Sequence, residues 1–282
     1  MADGWKYYNH AMIPTCAPHE NVDMSSLMDR SIWKTDGGTP LFARWTSEFD
    51  CGYETVFWYC IKDEAFDIQK LKAKRRYEIV KGCRNFTCRQ IEAKEYVSQI
   101  TDILAAAAKE YPLKYRNEVN REEMHQQIPT WDKKFVIYGA FDLEGKLCGY
   151  AYLEKYKQYS EFRVLKVYPE CEKKAINAAL VACILEDYER KLQQGHYICD
   201  GARPMQHETN FQSYLEKYFG FRKAYCKLHI KYRFPIKYIV NILYVFRNLI
   251  KKHDNGKITH QISGLLKMEE IVRNQRHERH GR

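Results

Sequence analysis

Apolar and polar positions along this chain repeat with two periods, and the changes of period mark its elements. From residue 85 onward the pattern is most regular. "NFTCRQIE" (85–92) reads as a strand, and "AKEYVSQITDILAAAAKEYP" (93–112) has the Ala, Leu and Ile content and closing proline of a helix ending near Tyr111. A shorter helix over 121–128 precedes Pro129 and Trp131. Three strands follow in "KFVIYGAFDLEG" (134–145), "KLCGYAYLEKY" (146–156) and "YSEFRVLKVYP" (159–169), the first two joined by a turn at Glu144-Gly145-Lys146. "EKKAINAALVACILEDYERKLQQG" (172–195) carries a long apolar stripe closed by Gly195, which predicts one long buried helix. A strand (196–202), a helix (210–221) and a last strand (224–233) complete the run.

The order predicts an α/β (α+β) domain: a mixed, mostly antiparallel sheet with helices on both faces. Upstream, "TPLFARWTSEFD" and "YETVFWYCIKDE" alternate as two strands, "FDIQKLKAKRRYEIVKGCRNF" reads as a basic helix, and "YYNHAMIPTCAPHE" reads as a loop. Downstream, "FPIKYIVNILYVFRNLIKK" (234–252) is strongly apolar, and a short helix near 262–272 precedes a frayed basic end. Three segments are therefore expected: 1–84, 85–233 and 234–282.

Composition narrows the function classes. With 282 residues, 45% of them apolar, most of the chain can fill a core. The net charge of +10 sits mainly in the tail, where eleven Lys/Arg oppose four Asp/Glu over 233–282. A nucleic-acid-binding body would carry its basic patch in the body. Ten scattered cysteines with no CxxC pair are the usage of reduced, buried thiols. Four tail histidines, His253, His260, His277 and His280, form no metal signature, and no metal is expected. No elbow, phosphate loop, zinc-protease or dinucleotide motif competes. The first residues lack a cationic start followed by an apolar run, so a cytoplasmic protein is expected. The apolar segment after Pro235 is shorter than the ~20 residues of a membrane span. It suits either packing on the body or another subunit, or a membrane interface on the inner face.

One polar cluster, His207-Glu208-Thr209-Asn210, opens the helix that ends at Gly220-Phe221. Thr209 or Asn210 suits a cap, while His207 and Glu208 follow a strand end that also holds Asp200. A histidine there can take a proton from an amine near neutral pH. His10 and His19 are further candidates to reach an acceptor.

Over roughly 85–233 the order resembles the acyltransferase fold of the GNAT superfamily. In that family the turn into the long helix offers backbone N–H groups to the pyrophosphate of acyl-coenzyme A through a glycine-rich run. The resemblance implies acetyl-coenzyme A or another acyl-coenzyme A as co-substrate, held by Glu172, Lys173, Lys174, Ala175, Ile176 and Asn177, with Asn210 opening the later helix. Ala175 and Asn177 stand where glycines are expected. The family's acid tyrosine, four residues before the Gly-Phe pair, falls here on Glu216, and tyrosines stand at 214 and 218. Tyr218 is the best remaining acid, with His207, Asp200 and Glu208 on the base side.

The junction "KLKAKRRYEIVKG" followed by a new strand resembles Fem-type acyltransferases, which fuse two GNAT-like units, so 1–84 would be a partial copy. That branch implies an amine acceptor, small or sugar-linked, possibly an envelope precursor. It also leaves a second donor open, aminoacyl-tRNA, bound by Lys70, Lys72, Lys74, Arg75, Arg76, Lys81 and Arg84. A third reading is a non-catalytic relative that binds an envelope precursor or a membrane surface. Sequence leaves the oligomeric state open.

Overall fold

The computed structural model describes residues 4–110, 118–205, 210–252 and 257–280. In chain order the elements are β1 (Trp5–Tyr8), β2 (Ala11–Pro14), α1 (Ser25–Met28), β3 (Phe42–Ser47), β4 (Phe57–Lys62) and α2 (Ala73–Asn85). Next come β5 (Thr87–Ile91), α3 (Val97–Lys109), α4 (Arg121–Gln127), β6 (Phe135–Phe141), β7 (Leu147–Lys155) and β8 (Tyr159–Val167). The chain continues through α5 (Pro169–Glu172), α6 (Ile176–Gln193), β9 (Tyr197–Ala202), α7 (Asn210–Phe219) and β10 (Arg222–Tyr232). It ends in α8 (Ile236–Val245), α9 (Arg247–Lys252) and α10 (Lys257–His280).

Contacts gather these elements into two compact units, one from Met1–Tyr59, Ala202–Thr209 and Lys223–Arg282, the other from Cys60–Gly201 and Asn210–Arg222. This partition differs from linear breaks at 84 and 233. The C-terminal strand and helices join the N-terminal strands, a pairing at long sequence separation that local patterning does not announce.

In the first unit β1 and β2 form an antiparallel hairpin, β2 runs parallel to β3, and β3 pairs antiparallel with β10 from Phe42↔Tyr232 to Ser47↔Lys227. The expected N-terminal loop is thus partly a hairpin. Asn9 and His10 both take positive φ, 47° and 61°, which lets a two-residue turn match the strand twist. Alternation along β3 separates two cores: Phe42 packs with Leu228, Met268 and Ile271, whereas Ala43 packs with Trp5, Met12 and Ile32. The tail differs from the expected single apolar helix and short second helix. It breaks into α8 and α9, and the last helix spans 24 residues.

The second unit is an antiparallel ladder, β5-β6-β7-β8, with β9 added in parallel to β8. Alternation again assigns faces. Tyr138 and Ala140 of β6 pack with α2, α6 and α7 through Ile79, Leu180 and Leu215, while Ile137 packs with Ile100 and Ile103 of α3. This is the mixed, mostly antiparallel sheet with helices on both faces that the pattern predicts. The expected helix from 172 is not continuous: α5 closes at Glu172, and Ala175, at φ 64°, turns the chain into α6. Left-handed backbone costs a non-glycine residue roughly 1–2 kcal/mol, so packing must hold it there.

That packing comes from α2. Gly82 lies so close to the turn that a Cβ on it would sit 2.4 Å from the Ala175 carbonyl oxygen. Lys81 Nζ donates to the Lys173 carbonyl at 2.6 Å, and Asn85 Nδ2 to the Lys174 carbonyl at 3.3 Å. All ten cysteines are free thiols, and Cys83, also on α2, departs from the expected burial by being exposed. Replacing Gly82 with Ala should force the two helices apart. The expected cost is about 1–3 kcal/mol, read as a lower urea midpoint at unchanged slope.

Candidate active site

β8 and β9 pair over only three positions, Tyr159↔Tyr197, Ser160↔Ile198 and Glu161↔Cys199. A cleft of about 430 Å³ opens immediately beyond, between Phe162–Val167 of β8 and Asp200 of β9, with Asn177 of α6 and Phe211 of α7 completing its walls. The volume is within the range of small-ligand sites. Register along β7 and β8 slips at this point, since Tyr152 faces Val164 and Leu153 faces Phe162, leaving Arg163 as the bulged residue. A bulge bends the strand and re-aims a side chain, and Arg163 lines the cleft.

Arg163 is tied by carboxylates. It meets Glu154 at 2.6 Å and Glu161 at 2.8 Å, and donates to the Tyr156 hydroxyl at 3.2 Å. Burial would lower its pKa, but Glu161 and Glu154 hold it above the ordinary value. Glu154 is shared with Lys134 at 2.9 Å.

Asp200 occupies the other wall. Burial pushes its pKa up to about 7, with Glu161 adding to the rise and a hydrogen bond from Gln212 opposing it. Gln212 Nε2 also donates to the Asp200 backbone carbonyl at 3.2 Å, fixing the start of α7 to the end of β9. A carboxyl poised near neutrality, beside a cleft, can accept a proton without being permanently charged.

The third wall is the start of α6. Lys173 and Lys174 are exposed in the turn, and the helix that follows runs for 18 residues with Ala175 as its cap. Its first amides, Ile176 and Asn177 among them, lack intrahelical acceptors by geometry and favour an anion. Among the described residues the Asn177 side-chain oxygen is buried without a hydrogen-bond partner, so a ligand N–H donor would satisfy it. Exposed lysines, a left-handed cap already in the conformation glycine would supply, and this orphaned acceptor fit a pyrophosphate-bearing, amide-containing ligand such as coenzyme A.

The remaining expected residues fall as follows. His207 and Glu208 lie outside the described residues. Glu172 lines the cleft and is exposed, while Ala175 and Ile176 are buried. Asn210 is exposed at the first position of α7, and its neighbour Phe211 reaches the cleft, edge-on to Phe162 at 5.6 Å. Tyr218 packs against Tyr214 at 4.9 Å with the rings tilted by 36°, and Lys217 lies over its ring. Neither tyrosine lines the cleft, and burial raises the pKa of Tyr214 well above the phenol value. His10 and His19 belong to the first unit, where His10 bonds the Tyr7 hydroxyl at 3.2 Å and His19 packs edge-on to Phe49. Of the seven basic-helix cations, Lys81 is engaged on the turn and Arg76 on Gln69. Arg163, Glu161 and Phe211 were missed in the sequence. "YSEFRVLKVYP" reads only as a strand, and the bulge that sets Arg163 out of register gives no local signal.

No family model and no curated protein matches this chain. Among solved structures it resembles L-PGS from Bacillus licheniformis, with a TM-score of 0.51, 12% identity, and 86% of this chain and 84% of that chain covered. A putative lysylphosphatidylglycerol synthetase C-terminal domain from Agrobacterium fabrum gives 0.49 at 12% identity, over 82% and 81%. The PaiA N-acetyltransferase from Thermoplasma acidophilum, in complex with coenzyme A, gives 0.30 at 18% identity, over 39% and 74%. At these identities the first likeness establishes fold alone, a mixed α/β fold shared with that structure.

Asp200 yields a stability prediction. Its folded pKa of about 7 stands above the ordinary carboxylate value, so its stabilising effect is complete below the unfolded pKa and is lost as pH rises through the folded one. Asp200→Asn should flatten the loss of stability between about pH 4 and about pH 7, measured by urea midpoints across that window.

Proposed function

We propose that the protein is an acyltransferase of GNAT type, moving an acyl group from acyl-coenzyme A to an amine acceptor. The observation that carries this is the cleft where β8 and β9 part, with a near-neutral carboxyl on one wall and, on another, the start of α6 with its unpaired first amides and the Asn177 side chain. The α6 turn would hold the pyrophosphate through its amides and through Lys173 and Lys174, and the orphaned Asn177 oxygen would accept from an amide of the donor. The acceptor amine would sit at Asp200. Its nitrogen forms the new bond to the thioester carbonyl carbon, the carbon–sulfur bond breaks, and the amine proton passes to the Asp200 carboxylate. The departing thiolate takes up the balancing proton from water, since Tyr218, the acid the sequence offers, does not line the cleft. His207 and Glu208 remain candidates for assisting at the acceptor side. An amino sugar or envelope precursor is the acceptor class suggested by the resemblance to Fem-type enzymes.

Calorimetric titration with acetyl-coenzyme A and coenzyme A tests the donor. Binding should weaken at least tenfold when Lys173 and Lys174 are both replaced by Ala, about 1.4 kcal/mol or more. No heat from either ligand would overturn the donor assignment and direct the search to aminoacyl-tRNA, whose binding would be tight and salt-sensitive. Given an acceptor, the rate should rise with pH through about 7, and Asp200→Asn should remove that limb.

A second element of the proposal concerns location. Among the described residues no helix is long and apolar enough to cross a membrane. Yet Phe234, Tyr238, Ile239, Ile242, Val245, Phe246 and Leu249 are all exposed apolar side chains on or beside α8 and α9. Over 234–252 the sequence has four cations and no acid. Apolar exposure with positive charge alone suits the interface of an anionic membrane. Vesicles with an anionic phospholipid should pull the protein up in flotation, neutral vesicles should not, and Ile242→Asp with Leu249→Asp should abolish it. Equal flotation of wild type and variant would overturn the assignment.

A further inference from the structure

The first unit contains a second cavity, of about 580 Å³, whose walls include Leu41, Phe42, Leu265 and Met268. Two arginines, Arg44 of β3 and Arg203, also line it, and so do His10 and Tyr8 of the hairpin. Arg44 shares the strand face of Phe42, toward α10, by strand alternation.

The guanidinium of Arg44 is poorly served. It is partly buried, and its recorded bond is to the Met268 sulfur at 3.5 Å. A thioether is a weak acceptor, while a guanidinium carries five N–H donors in a fork that matches carboxylate or phosphate. Among the described residues no carboxylate pairs with it. Burial presses its pKa downward, against a small opposing effect of Tyr59 and Tyr8. Arg203, by contrast, is anchored: it donates to the Val56 carbonyl and lies 4.6 Å above the Trp58 ring. A cation partly withdrawn from water without a counter-charge is costly, and here it faces an open cavity with one strongly apolar wall.

We propose that this cavity binds an amphiphilic oxyanion, a carboxylate or phosphate monoester on a hydrocarbon body. The oxyanion takes the free donors of Arg44, and the hydrocarbon lies on Leu41, Phe42, Leu265 and Met268. The cavity is too large and too apolar to be filled by a bare inorganic ion. This site is built entirely from the first unit, and it stands whether or not the second unit transfers acyl groups.

Thermal unfolding of the full chain tests the assignment, with octyl phosphate, octanoate, 1-octanol and inorganic phosphate as probes below their micellar concentrations. A ligand that binds only the folded state raises Tm in proportion to its occupancy. Octyl phosphate, octanoate or both should raise Tm more than octanol or inorganic phosphate does. A response to octyl phosphate alone would assign a phosphate headgroup, and a response to octanoate alone a carboxylate. Arg44→Met, which keeps length and apolar packing, should lose the extra response to the charged probes while keeping the response to octanol. A charged probe that does no better than octanol on the wild-type protein overturns the proposal, whether or not the variant folds. So does an Arg44→Met protein that responds to the charged probes as the wild type does.

Discussion

A parallel strand pair that stops after three residues is the constraint on which the second unit depends. Backbone groups freed beyond Glu161 and Cys199 must be covered or left facing a cavity, and the chain does both. On one side β8 bulges at Arg163, which lines the cleft and is held by Glu154 and Glu161. On the other, the first β9 residue past the last pair with β8 is Asp200, a carboxyl whose withdrawal from water brings its titration to about 7. Had β8 and β9 stayed paired to their ends, no cleft would separate Asp200 from α6.

The same logic governs the helix start. An 18-residue helix offers its amides only if the chain reaches it through a tight turn, and here that turn uses Ala175 in a left-handed conformation. Glycine would enter it freely. In this chain the geometry is held instead from outside, by Gly82 closing on the turn and by Lys81 and Asn85 binding its carbonyls. The basic helix α2 therefore has a structural task at its C-terminal end.

In the first unit, alternation along β3 gives each face a different core and places Arg44 among the apolar groups packed by α10. That position departs from the rule that buried charges are paired. It marks the cavity as a place where the chain's own residues do not complete the chemistry.

What the sequence determined by itself was local. Alternation in β6 to β8, the apolar stripe of α6 and the turn residues around Gly145 required no distant partner, so these elements and the α/β class were legible. Tertiary structure decided what depends on several elements at once. The bulge at Arg163 breaks the alternation that a strand reading assumes. The hairpin of Trp5–Pro14 is held in a sheet by a strand and a helix from the other end of the chain. The left-handed cap at Ala175 was invisible because alanine gives no local signal for positive φ, and only close packing by Gly82 makes it stable. Burial is likewise a tertiary property: neither the titration of Asp200 near neutrality nor the poor pairing of Arg44 follows from residue type, because each depends on which neighbours exclude water.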